Sequence, residues 1–190
     1  SYFSFLTAEA LFAAHGLRVF DVEKLTTHGG SLRIYGCHMD ARFPTTPHVD
    51  ELLAEERAAG LDDIATYSGF EKKVHKVKWG VLSFLLRAKE QRKTVAAFGA
   101  AAKGNTLLNY CGVGPEFIEY VVDSNPHKQG LFLPGSRIPI YPPDHIHETR
   151  PDYVLILPWN LSGEITAAHD YVKSWGGQFV VPVPEVRIVG

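Results

Sequence analysis

The chain has 190 residues, of which 45% are hydrophobic and 21% charged, a composition typical of a folded globular protein rather than a disordered one. Its formal net charge of -2, from 19 basic and 21 acidic side chains, argues against a nucleic-acid-binding protein. The expected partners are therefore small molecules or proteins. Cys37 and Cys111 lie far apart without a CxxC spacing, so neither a disulfide framework nor a structural zinc site is predicted.

The sequence gives no sign of membrane insertion or secretion. No apolar run approaches the roughly 20 residues of a membrane-spanning helix, and Ser1 to Leu6 lacks the basic flank of a signal peptide. We therefore expect a cytoplasmic protein. The chain starts within the aromatic segment SYFSFL, and its one methionine is Met39. We expect it to be a piece of a longer polypeptide.

The first segment is predicted to form a helix followed by two strands. Thr7 is the predicted N-cap of a helix over residues 8–14 that buries Leu11 and Phe12, and Gly16 provides its left-handed C-terminal cap. The runs LRVFDVEKL and SLRIYGCH, joined by THGG, predict an antiparallel pair. About 40 residues of this kind bury too little surface to fold alone. We expect them to be the end of another domain.

The next segment is predicted to be helical. The chain breaks between Pro44 and Pro47, and a helix is expected over residues 49–59, ended by Gly60. Asp62 or Asp63 is then expected to cap one long helix reaching Arg92, with an apolar stripe on one side and its lysines in solvent. Such a helix would span about 45 Å, so it either bridges two lobes or packs on a partner.

The remainder alternates strands and helices. Helices are predicted over residues 102–112 and 163–175, and the predicted strands are TVAAFGA, FIEYVVD, RIPIY, DYVLILP and GQFVVPV. Nearly continuous apolar runs are typical of parallel strands buried on both faces. The pattern predicts an α/β fold with a Rossmann-like, doubly wound parallel sheet of strand order 3-2-1-4-5.

In such a sheet, ligands bind beyond the carboxyl ends of the strands, here at the loop after the first strand. Compared with the dinucleotide pattern GxGxxG, alanine replaces the second glycine, which weakens an NAD interpretation. A lysine beside helix N-terminal amides instead suits a phosphate or diphosphate, although the order GK[ST] of a Walker A loop is absent. The alternative is that small residues permit tight packing and the lysine is solvated. The candidate ligand-binding residues are Gly99, Ala101, Ala102, Lys103, Gly104 and Asn105.

Two further segments fall on the same predicted edge. Asp123 ends the second strand, where dinucleotide enzymes place a ribose-binding carboxylate, and Asn125 and Lys128 follow in a turn. Trp159 and Asn160 follow the fourth strand, where a tryptophan is able to stack on a base. Asn160 either bonds a sugar or caps the next helix, and we favour the cap. For Asp123, Asn125 and Lys128, the simpler alternative is that they only form a turn.

The histidines do not form a recognisable metal site. His145 and His147 lack a third ligand at a suitable spacing and are expected on the surface, in a polar loop. No GxSxG, HExxH or paired-carboxylate pattern occurs, so no self-contained catalytic machinery is predicted. His28, beside Gly29 and Gly30, is a possible neighbour of an active site, and a solvent-exposed turn is the alternative.

Three blocks together resemble one family. YFSFLTAEALFAAHGLRVFDVEKLTTHGGSLRIY, VAAFGAAAKGNTLLNYCGVGPEFIEYVVDSNPHKQGLFLPGSRIPI and PDYVLILPWN with VPVPEV are similar to the C-terminal half of S-adenosylmethionine-dependent C-methyltransferases that act on nucleotide-linked ketosugars. The resemblance implies three regions: the end of a methyltransferase domain (residues 1–43), a helical linker (44–93) and a Rossmann-like nucleotide-sugar-binding domain (94–190).

The resemblance also implies which parts of such an enzyme lie elsewhere. The family's Glu-His pair, whose histidine removes a proton beside the keto group before methyl transfer, falls upstream of the stretch matching Ser1 to Phe5. The zinc-binding cysteines and the S-adenosylmethionine loop are also outside this chain. We therefore expect this chain alone to hold no catalytic residue, cofactor or metal, and to bind the nucleoside-diphosphate sugar beside the rest of its own polypeptide. The alternatives are a non-catalytic nucleotide-binding module and an NAD-dependent oxidoreductase domain.

Overall fold

The computed structural model describes residues 3–189, apart from the side chain of His28. The chain divides into two compact units, Ser1–Glu71 and Lys72–Gly190. The helices are α1 (Phe5–Ala14), α2 (Pro47–Ala58), α3 (Ile64–Ser68), α4 (Phe70–Glu90), α5 (Ala102–Cys111), α6 (His145–Thr149) and α7 (Ser162–Ala168). The strands are β1 (Leu17–Leu25), β2 (Ser31–His38), β3 (Val95–Phe98), β4 (Val121–Val122), β5 (Ile140–Tyr141), β6 (Tyr153–Ile156), β7 (Gln178–Val181) and β8 (Arg187–Val189).

The first helix begins three residues earlier than predicted. Ser4, not Thr7, is its N-cap, and the Ser4 hydroxyl accepts the Thr7 N–H at 3.2 Å. The Glu56 carboxylate, from α2, accepts the Phe5 and Leu6 N–H groups at 2.7 and 2.8 Å. These bonds satisfy amides that have no acceptor within the helix. The start of α1 is therefore set by a contact with α2 that the local sequence does not reveal.

The first unit has a small core beneath a two-stranded sheet. β1 and β2 pair antiparallel, as predicted, and a 3-10 turn at Thr27–Gly29 joins them. The left-handed backbone of Gly16, at φ 72°, is confirmed. The predicted burial of Leu11 is wrong, because its side chain is 45% exposed, whereas Phe12 is half-buried. The fully buried members of this core are Phe5, Val19, Val22, Val49 and Leu52.

The predicted long helix is interrupted. Asp63 does cap it, accepting the Ala65 N–H at 2.9 Å, but α3 ends at Ser68 and α4 begins at Phe70. Gly69 at the break is a poor helix former. Because Phe70 is exposed, continuing α3 through this point would bury no apolar side chain there to compensate. The apolar stripe is confirmed only further along, where α4 buries Val81, Phe84, Leu85 and Ala88.

The second unit is the predicted Rossmann-like α/β fold. Within the described residues its sheet has the order β5-β4-β3-β6-β7-β8, so the first five predicted strands have the expected 3-2-1-4-5 arrangement and pair in parallel. β8, which the sequence analysis missed, pairs antiparallel with β7 at the edge. Residues of α4 and α5 share a core with one face of the sheet, and residues of α6 and α7 share a core with the other.

Two details of the second unit differ from the predictions. The helix expected over residues 163–175 is two pieces, α7 and a 3-10 helix at Asp170–Trp175. The segment expected to be a polar loop forms α6, because Ile146 is fully buried in the core. His145 is half-buried against the rings of Tyr120 and Tyr141, so its assignment to the surface is wrong, whereas His147 is exposed. No helix within residues 3–189 is both long and apolar enough to cross a membrane.

Candidate functional site

The loop after β3 lies at the point where the sheet changes direction, because β3 has β4 on one side and β6 on the other. Gly99 has a left-handed backbone, φ 87°, and a Cβ there would lie 2.6 Å from Pro158 Cδ. A Cβ on Gly104 would lie 2.4 Å from the Cβ of Leu157. Both glycines therefore allow this loop and α5 to approach the end of β6 closely, which is the site expected for a ligand in such folds.

The N-terminus of α5 opens towards this site without a capping side chain. Ala101 is the N-cap residue, and its N–H donates to the carbonyl of Gly99 at 2.8 Å. Ala102, exposed, begins the helix, and the Asn105 N–H makes the first bond to the Ala101 carbonyl at 2.9 Å. The amides of a first helical turn have no acceptor within the helix and carry its positive dipole end. They are suited to an anion.

Lys103 reaches from α5 to the segment after β6. Its Nζ donates to Asn160 Oδ1 at 2.6 Å and lies 5.2 Å from the centroid of the Trp159 ring. The expected capping role of Asn160 is wrong, because Leu161 is the N-cap of α7 and makes no side-chain cap hydrogen bond. The amide of Asn160 accepts from the lysine instead, fifty-seven positions away in the chain.

Asp123 ties together the loops after β3 and β4. Its side chain is 13% exposed, and Oδ2 accepts the Ala100 N–H at 2.7 Å and Lys128 Nζ at 3.1 Å. Oδ1 accepts the Asn125 N–H at 2.8 Å, which forms the expected turn. Lys128 also donates to the Ala100 carbonyl at 3.0 Å. Both carboxylate oxygens are therefore engaged within the protein.

The structure thus places the predicted residues in two groups on the same edge of the sheet. Lys103, Trp159 and Asn160 form one, and Asp123, Asn125 and Lys128 form the other with Ala100. The side chain of Asn105 belongs to neither group, because its Oδ1 accepts from Asn109 Nδ2 at 3.3 Å.

His28 belongs to the first unit, and its side chain is outside the described part of the structure. The turn that carries it borders a depression of about 550 Å³ lined by Gly29, Gly30 and neighbouring residues of β1 and β2. Its role beside an active site stays a prediction.

A histidine near the edge was not found from the sequence. The His169 ring packs on Phe98, the last residue of β3, with ring centroids 4.6 Å apart, and its Nδ1 lies 3.0 Å from the Tyr171 hydroxyl. The ring of His147 stacks on Tyr171 at 3.7 Å. Burial, and then the charge of His147, lower the pKa of His169. A lone histidine between a short helix and a 3-10 helix carries no motif that would have identified it.

The lowered pKa of His169 predicts a loss of stability in mild acid. As pH falls below the ordinary histidine value of 6.5, an unfolded chain takes up a proton that the folded chain resists until its lower pKa is reached. The free energy of unfolding should therefore fall from about pH 6.5 downwards. The lowered carboxyl pKa values of Asp21 and Asp152 act only in stronger acid. Denaturant titrations between pH 7.5 and 5 measure the effect.

Two single substitutions test the assignment of this effect to His169. His169→Gln should flatten the pH dependence between 6.5 and 5, whereas His127→Gln, at an exposed turn position, should leave it unchanged. An unaltered slope in His169→Gln would show that other groups cause the acid sensitivity.

Among residues 3–189, no group of three or more histidine, cysteine, aspartate or glutamate side chains is placed to hold a metal ion. The first unit has a cavity of about 390 Å³ beside His48 and Glu51, and the second has one of about 330 Å³ beside Asn109 and Ser136; residues 99–101 line neither. We regard the edge of the sheet as the better candidate, because an uncapped helix N-terminus and a lysine meet there.

Comparisons with known proteins show the family of the chain. Residues 26–184 match the family described as the C-methyltransferase C-terminal domain. The chain is also similar to C-methyltransferase NovU of Streptomyces niveus, with 40% identity over 189 residues. That alignment covers all of this chain and 45% of the relative, so the chain spans less than half of the length of the curated protein it matches.

Proposed function

Because the chain belongs to the C-methyltransferase C-terminal domain family, we propose that it is the substrate-binding part of an S-adenosylmethionine-dependent enzyme that methylates a carbon of a nucleoside-diphosphate ketosugar. Its own task in this proposal is to bind the nucleotide and hold the sugar in place. Holding reactants in a fixed geometry contributes to catalysis even when the residues concerned do no chemistry.

The observation that carries the proposal is the position of Lys103. Lys103 lies in the first turn of α5, which has no side-chain cap, and its ammonium group donates to Asn160 in the segment after β6. A diphosphate bound end-on there would accept from the first-turn amides and pair with the lysine charge. Trp159 and Asn160, which follow β6, would border the nucleoside and sugar.

The same geometry favours a nucleoside diphosphate over NAD. Ala101 occupies the position where dinucleotide-binding loops use glycine to approach a pyrophosphate closely. Asp123, which would bind the adenosine ribose of NAD, already accepts from Ala100, Asn125 and Lys128. In our proposal Asp123 therefore shapes the loops and does not contact a ribose.

The methyl-transfer chemistry is proposed for the remainder of the full-length protein. A general base must lie within hydrogen-bond reach of the proton that it removes, and the resemblance assigns that base, the S-adenosylmethionine site and a zinc module to segments outside this chain. Residues 1–43 would complete the methyltransferase domain, residues 44–93 would link it to the nucleotide-sugar domain at 94–190, and His28 would face the active site. A cytoplasmic enzyme of deoxysugar biosynthesis fits this proposal.

Calorimetric titration of the 190-residue chain with three ligands tests the proposal. Thymidine or uridine diphosphate should bind more tightly than NAD, and S-adenosylmethionine should bind negligibly, with no methyl transfer. Tighter binding of NAD would favour an oxidoreductase domain. Micromolar binding of S-adenosylmethionine would show that the cofactor site lies within this chain, against the proposal.

A further inference from the structure

Trp159 and Asn160 lie beside Lys103 in a way that suggests a role different from direct contact with a ligand. We propose that they are positioning residues, which hold the Lys103 ammonium group beside the segment after β6, so that the lysine is already oriented when an anion binds. This inference rests on the proposed diphosphate site. It replaces base stacking by Trp159 and sugar bonding by Asn160 as the main roles of these residues.

The first argument concerns the charge of the acceptor. Lys128 and Lys93 each pair with a carboxylate, of Asp123 and Asp152 respectively. Lys103 instead donates to the neutral amide oxygen of Asn160 at 2.6 Å, and no carboxylate of residues 3–189 lies within ion-pair distance of it. A neutral acceptor fixes the direction of the ammonium group but leaves its charge uncompensated. Such a cation is available to an anionic ligand.

The second argument concerns the tryptophan. Its ring centroid lies 5.2 Å from Lys103 Nζ, within the range of a cation–π contact. Trp159 is half-buried and packs against the core that contains Phe98 and Ile156, the last residues of β3 and β6. The ring is therefore anchored to the sheet. The uncharged Trp159 ring is thus a second contact of the same ammonium group, and its position is fixed by the core.

The third argument is entropic. A lysine side chain has many rotamers, and fixing it on a ligand costs conformational entropy. Contacts made before binding reduce that cost, which is the general benefit of preorganisation. Since Asn160 and Trp159 follow β6 whereas Lys103 follows β3, the contacts also join the segments that follow these two neighbouring strands.

The test is a double-mutant cycle with inorganic pyrophosphate and thymidine diphosphate as ligands. Asn160→Leu should weaken both by roughly two- to tenfold, because a lysine side chain that is no longer held must be ordered on binding. In a Lys103→Met background the same substitution should have little further effect, because Asn160 acts through the lysine. Asn160→Asp should keep the lysine in place but neutralise it, so it should also weaken binding. Effects of Asn160→Leu and Lys103→Met that simply multiply would overturn the inference.

A ligand-free measurement separates this inference from the proposed function. The three tryptophans can be labelled with 5-fluorotryptophan, and the Trp159 resonance identified by Trp159→Phe. Lys103→Met should shift that resonance, and Asn160→Leu should shift it in the same direction. An unshifted resonance in Asn160→Leu would refute the positioning role whatever binds. If the resonance shifts but neither anion binds the wild type, the diphosphate site itself is wrong.

Discussion

Replacing Lys103 with alanine is expected to weaken binding of a nucleoside diphosphate roughly tenfold to a hundredfold. A hydrogen bond to a charged group contributes about 1.5 to 3 kcal/mol when its partner is desolvated. The ammonium group of Lys103 has a neutral acceptor, Asn160, and the lysine belongs to the first turn of α5, which has no side-chain cap. Raising the salt concentration should weaken the wild type more than the variant, because the removed interaction is ionic. Calorimetry at two ionic strengths measures both effects.

Lys173 provides the matched control. It lies in the 3-10 helix at Asp170–Trp175 and pairs with Asp170 at 2.7 Å, with both side chains exposed. Lys173→Ala removes the same charge from the chain without touching the loop after β3, and an exposed pair contributes little to stability. It should bind nucleotide as the wild type does. Equal affinities of the Lys103 and Lys173 variants would place the ligand elsewhere on the edge.

The largest effect on stability is expected from Gly104→Ala. The new Cβ would lie 2.4 Å from the Cβ of Leu157, which is fully buried at the end of β6, so α5 or the strand has to shift. Overpacking of this kind typically costs about 1 to 3 kcal/mol, and we expect a value near the upper end because the clash involves no flexible side-chain end. All three tryptophans lie in the second unit, so their emission during denaturant titration reports its unfolding.

Gly163→Ala is the control for that substitution. Gly163 lies within α7, and a Cβ there would meet nothing within 4 Å. Because alanine is the better helix former, this variant should be more stable by up to about 1 kcal/mol. A Gly104→Ala protein as stable as the wild type would mean that the approach of α5 to β6 tolerates a methyl group, and that the glycine is not required for packing.

The parallel sheet of the second unit was predictable because its central strands, β3 and β6, carry uninterrupted apolar runs. Val95 to Phe98 and Val154 to Leu157 are buried throughout, as expected for strands covered on both faces. The small edge strand β8 was not predictable, because its three residues are largely exposed and follow two prolines. The break at Gly69 was not predictable either, because it depends on the exposure of Phe70 in the folded chain, which the local sequence does not indicate.

The edge of the sheet on which the candidate residues lie could be predicted from the sequence, but their hydrogen-bond partners could not. The rule that ligands bind at the switch point identified the loop at Gly99 and the segments at Asp123 and Trp159. The partners of these residues could not be read from local spacing. Asn160 matches a helix-capping pattern yet accepts from Lys103, and the Asp123 carboxylate reaches back to the Ala100 amide. Both contacts join residues that only the folded sheet brings together.

The contacts that link the loop after β3 to its two neighbours therefore differ in number. Between β3 and β4, the Asp123 carboxylate and the Lys128 ammonium group both contact Ala100 and so cross-link the loops that follow these strands. Between β3 and β6, one hydrogen bond from the Lys103 ammonium group to the neutral amide of Asn160 and one ring contact with Trp159 join α5 to the segment after β6. Local opening starts where the fewest contacts must break. We therefore expect the contacts of Lys103 with Asn160 and Trp159 to open more readily than the contacts of Asp123 with Ala100 and Lys128.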